Sequence, residues 1–223
     1  MALDSQVQLH GRKSKDAIIE VESDQDFIIT DDNIVDTIKK HGHETALVMI
    51  SGVHYLTGQV FDMKRIAGAA RDAGCMIGFD LAHAIGNIPI HLSDYDADFA
   101  VWCTYKYLNS GPGSTGGLFV NRRHHDAIAR GEGHILAGWW GVDLKSRFLM
   151  NHSFEAYRGA RAFQQSCTSI FNTCGLLASM QTFSKTNIKE ILERSHQLTD
   201  YFRKLLHESR IDARIITPAE PHR

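Results

Sequence analysis

Asp80, His83 and Lys106 are the residues of this chain whose types and spacing could do chemistry together. They lie in GFDLAHAIGN (78–87) and DFAVWCTYKYLN (98–109), where the acid ends one short apolar run and the lysine falls just past another. In open α/β sheets ligands gather beyond the carboxyl ends of the strands, so these side chains are expected to converge on one crevice. Ser51, closing the apolar run TALVMIS (45–51), would join them there. A primary amine can condense with an aldehyde, and a carboxylate can keep a pyridine nitrogen protonated. That pairing suits pyridoxal 5'-phosphate, whose ring then acts as an electron sink. His83 could pack on such a ring or orient the Asp80 carboxylate. Each residue alone also has a plainer role, because an aspartate at a strand end is common in doubly wound proteins and a lysine before a glycine-rich loop is usually a solvated charge. The loop after the lysine, GPGSTGG (111–117), lacks the order of a phosphate-binding P-loop and precedes a strand. It reads as a tight connection that lets backbone pass close to the site.

The elements that must position these residues follow from hydrophobic period and punctuation. AIIEV (17–21), TALVMIS (45–51), CMIGFD (75–80), DFAVWC (98–103) and GGLFVN (116–121) have the length and apolar character of strands. Asp31 or Asp32 can cap a helix carrying Ile34 and Ile38. Asp62 can cap another whose Ile66, Ala69, Ala70 and Ala73 recur at helical spacing until Gly74. Strand, helix, strand with short loops predicts right-handed crossovers and an α/β fold with a mainly parallel sheet and flanking helices. From about residue 155 the pattern turns helical. Ile188, Ile191, Leu192, Leu198, Phe202, Leu205 and Leu206 form one apolar face, and DARII (212–216) reads as a strand just starting.

Composition bounds the function classes. The chain has 223 residues, 43% hydrophobic and 22% charged, enough for one substantial core. With 24 Lys+Arg against 26 Asp+Glu the formal charge is -2, which argues against nucleic acid or an anionic membrane surface as partner. No apolar run has the length of a bilayer span, and a cytoplasmic location is the default expectation. Cys75, Cys103, Cys167 and Cys174 show no CxxC spacing, so disulfides are not expected. Among the thirteen histidines, HGHE (41–44) and the His124-His125 pair lack zinc-site spacing and read as solvated loop or helix-end residues. No metal is expected.

With those residues set out, ISGVHYLTGQ, GFDLAHAIGN, DFAVWCTYKYLN and AGWWG resemble the corresponding segments of the kynureninases, pyridoxal-phosphate enzymes of the type I aminotransferase fold. The likeness runs from about Leu3 to at least Phe183. It implies hydrolysis of L-kynurenine, or 3-hydroxykynurenine, to anthranilate, or 3-hydroxyanthranilate, and L-alanine, within tryptophan catabolism and NAD biosynthesis, by a homodimer. Carried over by position, Lys106 matches the lysine that forms the Schiff base and Asp80 the partner of the pyridine nitrogen. His83, Ser51 and Tyr105 match cofactor-contacting positions, with the Tyr105 hydroxyl near the phosphate and available as a proton donor. Trp139, in AGWWG, matches a tryptophan of the cofactor and substrate region near the dimer interface; read by itself it is equally a packing residue. Cys167, in FQQSC, stands where the family shows asparagine in an FRxSN stretch. A thiol poorly replaces the amide's donors and acceptor, which puts substrate contacts at that position in question.

The resemblance further implies that residues 1–170 are part of a cofactor-binding large domain, the type I large domain truncated at both ends. Residues 171–223 would be a helical connection and the start of a small domain. The phosphate-binding turn and the ring-stacking aromatic would lie upstream and a carboxylate-clamping arginine downstream. On that reading the chain alone binds cofactor weakly and turns over little substrate. Rival readings are a related type I lyase of the cysteine desulfurase kind, for which no catalytic cysteine loop is found, and a non-catalytic product or incomplete gene model pairing with a full-length subunit.

Overall fold

The computed structural model describes residues 1–24, 27–132, 135–209 and 211–219. Its centre is one sheet of four strands in the order β1 (Leu47–Ser51), β2 (Met76–Asp80), β3 (Phe99–Trp102), β4 (Gly117–Val120). β1, β2 and β3 are parallel, with Ser51 beside Asp80 and Asp80 beside Val101, whereas β4 returns antiparallel to β3. The mainly parallel sheet expected from the sequence is present, and strand order follows chain order. β2 lies between two neighbours and under a helix, so its run is apolar up to the terminal Asp80, with Ile77 and Phe79 fully buried.

Two helices cover one face. α3 (Asp31–His41) turns Ile34, Val35 and Ile38 inward, and α4 (Met63–Asp72) meets them with Ile66, Ala67 and Ala70. These six join Phe79, Leu81 and Ala100 in the core or flank it. The start of α4 is as expected, the Asp62 carboxylate accepting from the Arg65 N–H at 3.0 Å. Gly74 ends the element at φ +77°, a conformation an L side chain resists. At α3 the sequence reading is corrected by one residue. Thr30 is the cap, its hydroxyl accepting from the Asn33 N–H at 3.1 Å, while Asp31 and Asp32 occupy the first turn where their charge suits the helix dipole.

Other expectations need correction, because an apolar run becomes a strand only where the tertiary context aligns it with a partner. AIIEV does not form one. Its Ala17 ends the single turn α2 (Ser14–Ala17), and Ile18 is extended without a ladder partner, after a first helix α1 (Ala2–Leu9). DARII is likewise irregular, and just beyond it the Pro218 carbonyl accepts from the Arg203 guanidinium at 2.6 Å. Continuous helix begins later than 155. After α5 (Leu92–Tyr95) and α6 (His125–Ala129), residues 137–169 form loops and short 3-10 turns held by a Val142–Ala156 bridge. α7 (Ile170–Phe183) and α8 (Ile188–Glu208) follow, neither with a buried residue, and Phe171 is 90% exposed.

His124 is also more than a solvated residue. Its Nε2 lies 2.5 Å from Asp98 Oδ1. Asp98 accepts from the Ile77 N–H at 2.8 Å and from Arg123 Nη2 at 2.6 Å, tying the start of β3 to β2. Burial alone would raise the Asp98 pKa, but these donors outweigh it and hold the carboxyl below its ordinary value.

Candidate active site

The carboxyl ends of the parallel strands β1, β2 and β3 lie on one side of the sheet, and a loop follows each. The loop after β2 is a compact turn. Leu81 and Ala84, three apart, point into the core at 0% exposure, which turns Ala82 and His83 outward. The Ala82 N–H bonds Asp80 Oδ1 at 2.8 Å and fixes that carboxylate at the strand end. Asn87 closes the turn by donating to the His83 carbonyl at 3.0 Å. Gly86, at φ +75°, lies so close to the next loop that an added Cβ would sit 2.8 Å from Leu108 Cδ2.

The loop after β3 carries Tyr105 and Lys106 across that contact. Thr104, 2% exposed, donates through Oγ1 to the Thr115 carbonyl at 2.5 Å and accepts from Ser110 Oγ at 2.7 Å. Ser114 Oγ lies 2.5 Å from Ser110 Oγ, so hydroxyls knot the two ends of the glycine-rich loop together. Within it, the Asn109 N–H bonds the Lys106 carbonyl at 3.0 Å, with Asn109 in the left-handed region that asparagine tolerates.

Lys106 Nζ lies 3.1 Å from His83 Nε2. Burial lowers the His83 pKa, the Lys106 charge lowers it further, and Asp80 opposes the shift without reversing it. His83 is therefore neutral near pH 7, its Nε2 accepting from the lysine ammonium. Tyr105 is exposed, and its hydroxyl is held above the ordinary phenol range chiefly by a hydrogen bond with Cys103 and also by the Asp80 charge, so it remains a proton donor. Asp80, His83, Tyr105 and Lys106 thus form one electrostatic group of a carboxylate, an imidazole, a phenol and a lysine nitrogen. That donor set fits a pyridine aldehyde.

Ser51 is adjacent to Asp80 in register but opens on a cavity of about 420 Å³ shared with His54 and Ile18–Val21. Trp139 and Cys167 are not brought to the lysine. Trp139, 53% exposed, donates its indole N–H to the Arg147 carbonyl at 3.1 Å and meets Phe148 edge-on at 5.5 Å. Cys167 is exposed, its thiol 3.5 Å from the Thr168 carbonyl.

The sequence reading missed the third loop, after β1. His54 lies in this loop, and Tyr55 and Tyr107 both place rings 6.5 Å from His83. The buried Thr57 donates its N–H to His54 Nδ1 at 3.3 Å, which leaves the imidazole proton on Nε2. A signal existed, since His54 and Thr57 fall just past a strand end and three apart. No helix among the described residues is long and apolar enough to cross a membrane.

This chain spans about half the length of the curated relatives it matches. Kynureninase of Nematostella vectensis is 44% identical over 99% of this chain and 50% of its own length, and Kynureninase of Myxococcus xanthus is 44% identical over 92% and 48%. Among solved structures, cysteine desulfurase of Thermococcus onnurineus NA1 superposes with TM-score 0.68 at 18% identity over 92% of this chain and 47% of that one. CsdA of Escherichia coli superposes with TM-score 0.69 at 18% identity over 90% and 46%, a likeness of fold alone. Residues 9–223 match the family model described as Aminotransferase class-V, and the chain belongs to that family.

Proposed function

We propose that the crevice holds pyridoxal 5'-phosphate and serves the hydrolysis of L-kynurenine, or 3-hydroxykynurenine, to anthranilate, or 3-hydroxyanthranilate, and L-alanine. The observation that carries this is Lys106 Nζ at 3.1 Å from His83, with Asp80 ending the neighbouring strand. Relatives at 40–44% identity bearing the name Kynureninase give the substrate class. When bound, the cofactor supplies an electron sink for charge developing on substrate carbon. The rest falls to the chain. Asp80, its carboxylate fixed by the Ala82 N–H, would keep the ring nitrogen protonated. His83 offers a flat neutral face and accepts from Lys106. Lys106 Nζ would be the amine that holds the cofactor aldehyde and could serve as the base for the substrate Cα proton. The Tyr105 hydroxyl, kept protonated, donates to a departing or newly formed carbon centre.

The same reading makes the protein a cytoplasmic homodimer, with Ser51 as a cofactor contact. Trp139 and Cys167 then serve a crevice completed by a second copy. Exposed apolar residues on α7 and α8 support pairing, and cysteines left as thiols suit a reducing compartment.

Reductive trapping tests the lysine assignment without needing turnover. Incubation with pyridoxal phosphate followed by borohydride should leave a pyridoxyl group on the Lys106 peptide and none in Lys106→Ala. Equal labelling of that variant, or a label on another lysine, overturns the site. Release of fluorescent anthranilate from kynurenine, absent in Lys106→Ala, then tests the reaction.

A further inference from the structure

α7 has no buried residue, and Ile170, Phe171 and Leu177 are exposed. Apolar burial therefore contributes little to fastening this helix to the rest of the fold. One of its faces is different. Asn172, Gly175 and Ser179 recur at spacings of three and four, which lines them up along one side of a helix. All three meet the loop that carries Lys106. Asn172 Nδ2 donates to the Gly113 carbonyl at 2.8 Å, and the Ser179 hydroxyl donates to the Leu108 carbonyl. Between them the helix backbone comes so near that a Cβ added at Gly175 would sit 2.5 Å from the Ser110 carbonyl oxygen. Glycine inside a helix is less stable than alanine, and this approach is what only glycine permits.

The carbonyls of residues 108, 110 and 113 follow Lys106 closely in the chain. Ser110 also donates its hydroxyl to Thr104, and the Asn109 N–H bonds the Lys106 carbonyl at 3.0 Å, so a push on this stretch reaches the lysine directly. Two hydrogen bonds and one steric stop fix three points, enough to hold a segment against both sliding and rotation. We propose that Asn172, Gly175 and Ser179 are positioning residues, and that α7 is the strut that keeps the Lys106 amine placed to engage an aldehyde. This rests on the assignment of Lys106 given above. Each of the three acts through a backbone carbonyl of the loop rather than through the amine itself.

Two readouts on the 223-residue chain test the strut. Hydrogen exchange by NMR at the Asn109 and Ser110 amides, bonded to the Lys106 and Thr104 carbonyls, reports the loop without cofactor. The rate of borohydride trapping with saturating pyridoxal phosphate reports Lys106. Ser179→Ala and Asn172→Ala should each speed that exchange and slow that trapping by about twofold to tenfold, the range of one hydrogen bond. The Ile77 amide in β2, bonded to Asp98 at 2.8 Å, should exchange as in the parent. Ser179→Thr keeps the hydroxyl and should restore both readouts. Gly175→Ala, which would favour a free helix, should instead slow trapping, whereas Gly68→Ala in α4, where an added Cβ meets nothing within 4 Å, should not. A parent that carries no label on Lys106 sinks the cofactor assignment, and the exchange readout then judges the strut alone. Unchanged exchange at Asn109 and Ser110 in both Ser179→Ala and Asn172→Ala overturns it. So does exchange equally faster at Ile77, faster loop exchange with Lys106 trapping unchanged, failure of Ser179→Thr to restore the readouts, or Gly175→Ala trapping as fast as the parent.

Discussion

Thr104→Val probes whether the hydroxyl knot positions the lysine loop. Valine keeps the shape of threonine and removes one oxygen at a site 2% exposed. That oxygen donates to the Thr115 carbonyl at 2.5 Å and accepts from Ser110 at 2.7 Å. Ser110 retains Ser114 at 2.5 Å, so one group, the Thr115 carbonyl, loses its side-chain donor. Leaving a buried polar group unsatisfied costs about 1–3 kcal/mol, which sets the expected loss near 2 kcal/mol. Urea unfolding followed by circular dichroism measures it. The knot ends two residues before Lys106, so reductive labelling of Lys106 should also fall, by at most the roughly thirtyfold that 2 kcal/mol represents. Thr104→Ser keeps the hydroxyl and should restore both readouts. If Thr104→Val unfolds within about 0.5 kcal/mol of the parent, or if Thr104→Ser loses as much, hydrogen bonding does not hold this loop.

Two further substitutions test how the crevice is framed. Asp98→Asn should destabilise by about 1.5–3 kcal/mol at neutral pH, since hydrogen bonds to a charged acceptor are lost. Because the folded pKa of Asp98 is depressed, its contribution is present above the ordinary carboxylate value of about 3.9 and is lost as pH falls through the folded value. Denaturant midpoints should therefore drop less on acidification in Asp98→Asn than in the parent, and an unchanged drop would discard the network. Gly86→Ala puts a Cβ at φ +75° and 2.8 Å from Leu108 Cδ2, costing about 1–2 kcal/mol for the left-handed backbone alone. A lower thermal midpoint together with weaker Lys106 labelling is the expected result, and an unchanged midpoint would show that the two loops do not press on each other.

Much of the fold was legible because its signals are local. CMIGFD reads as a buried strand from its unbroken apolar run, and α4 from the Asp62 cap, the spacing of Ile66, Ala69, Ala70 and Ala73, and Gly74. The acid and the amine were legible too, because a parallel sheet sends successive strand ends to one side and Asp80 and Lys106 fall just at or beyond them. Loops were not. His54 is tied to the buried Thr57, whose N–H donates to its Nδ1, a contact set by how the loop folds.

The sequence by itself determined the periods, the caps and the order in which an acid, an imidazole and an amine leave the strand ends, since each depends on residues a few positions apart. Tertiary structure alone decided that AIIEV and DARII stay unpaired while GGLFVN pairs antiparallel to β3, because alignment with a partner strand is set by distant chain.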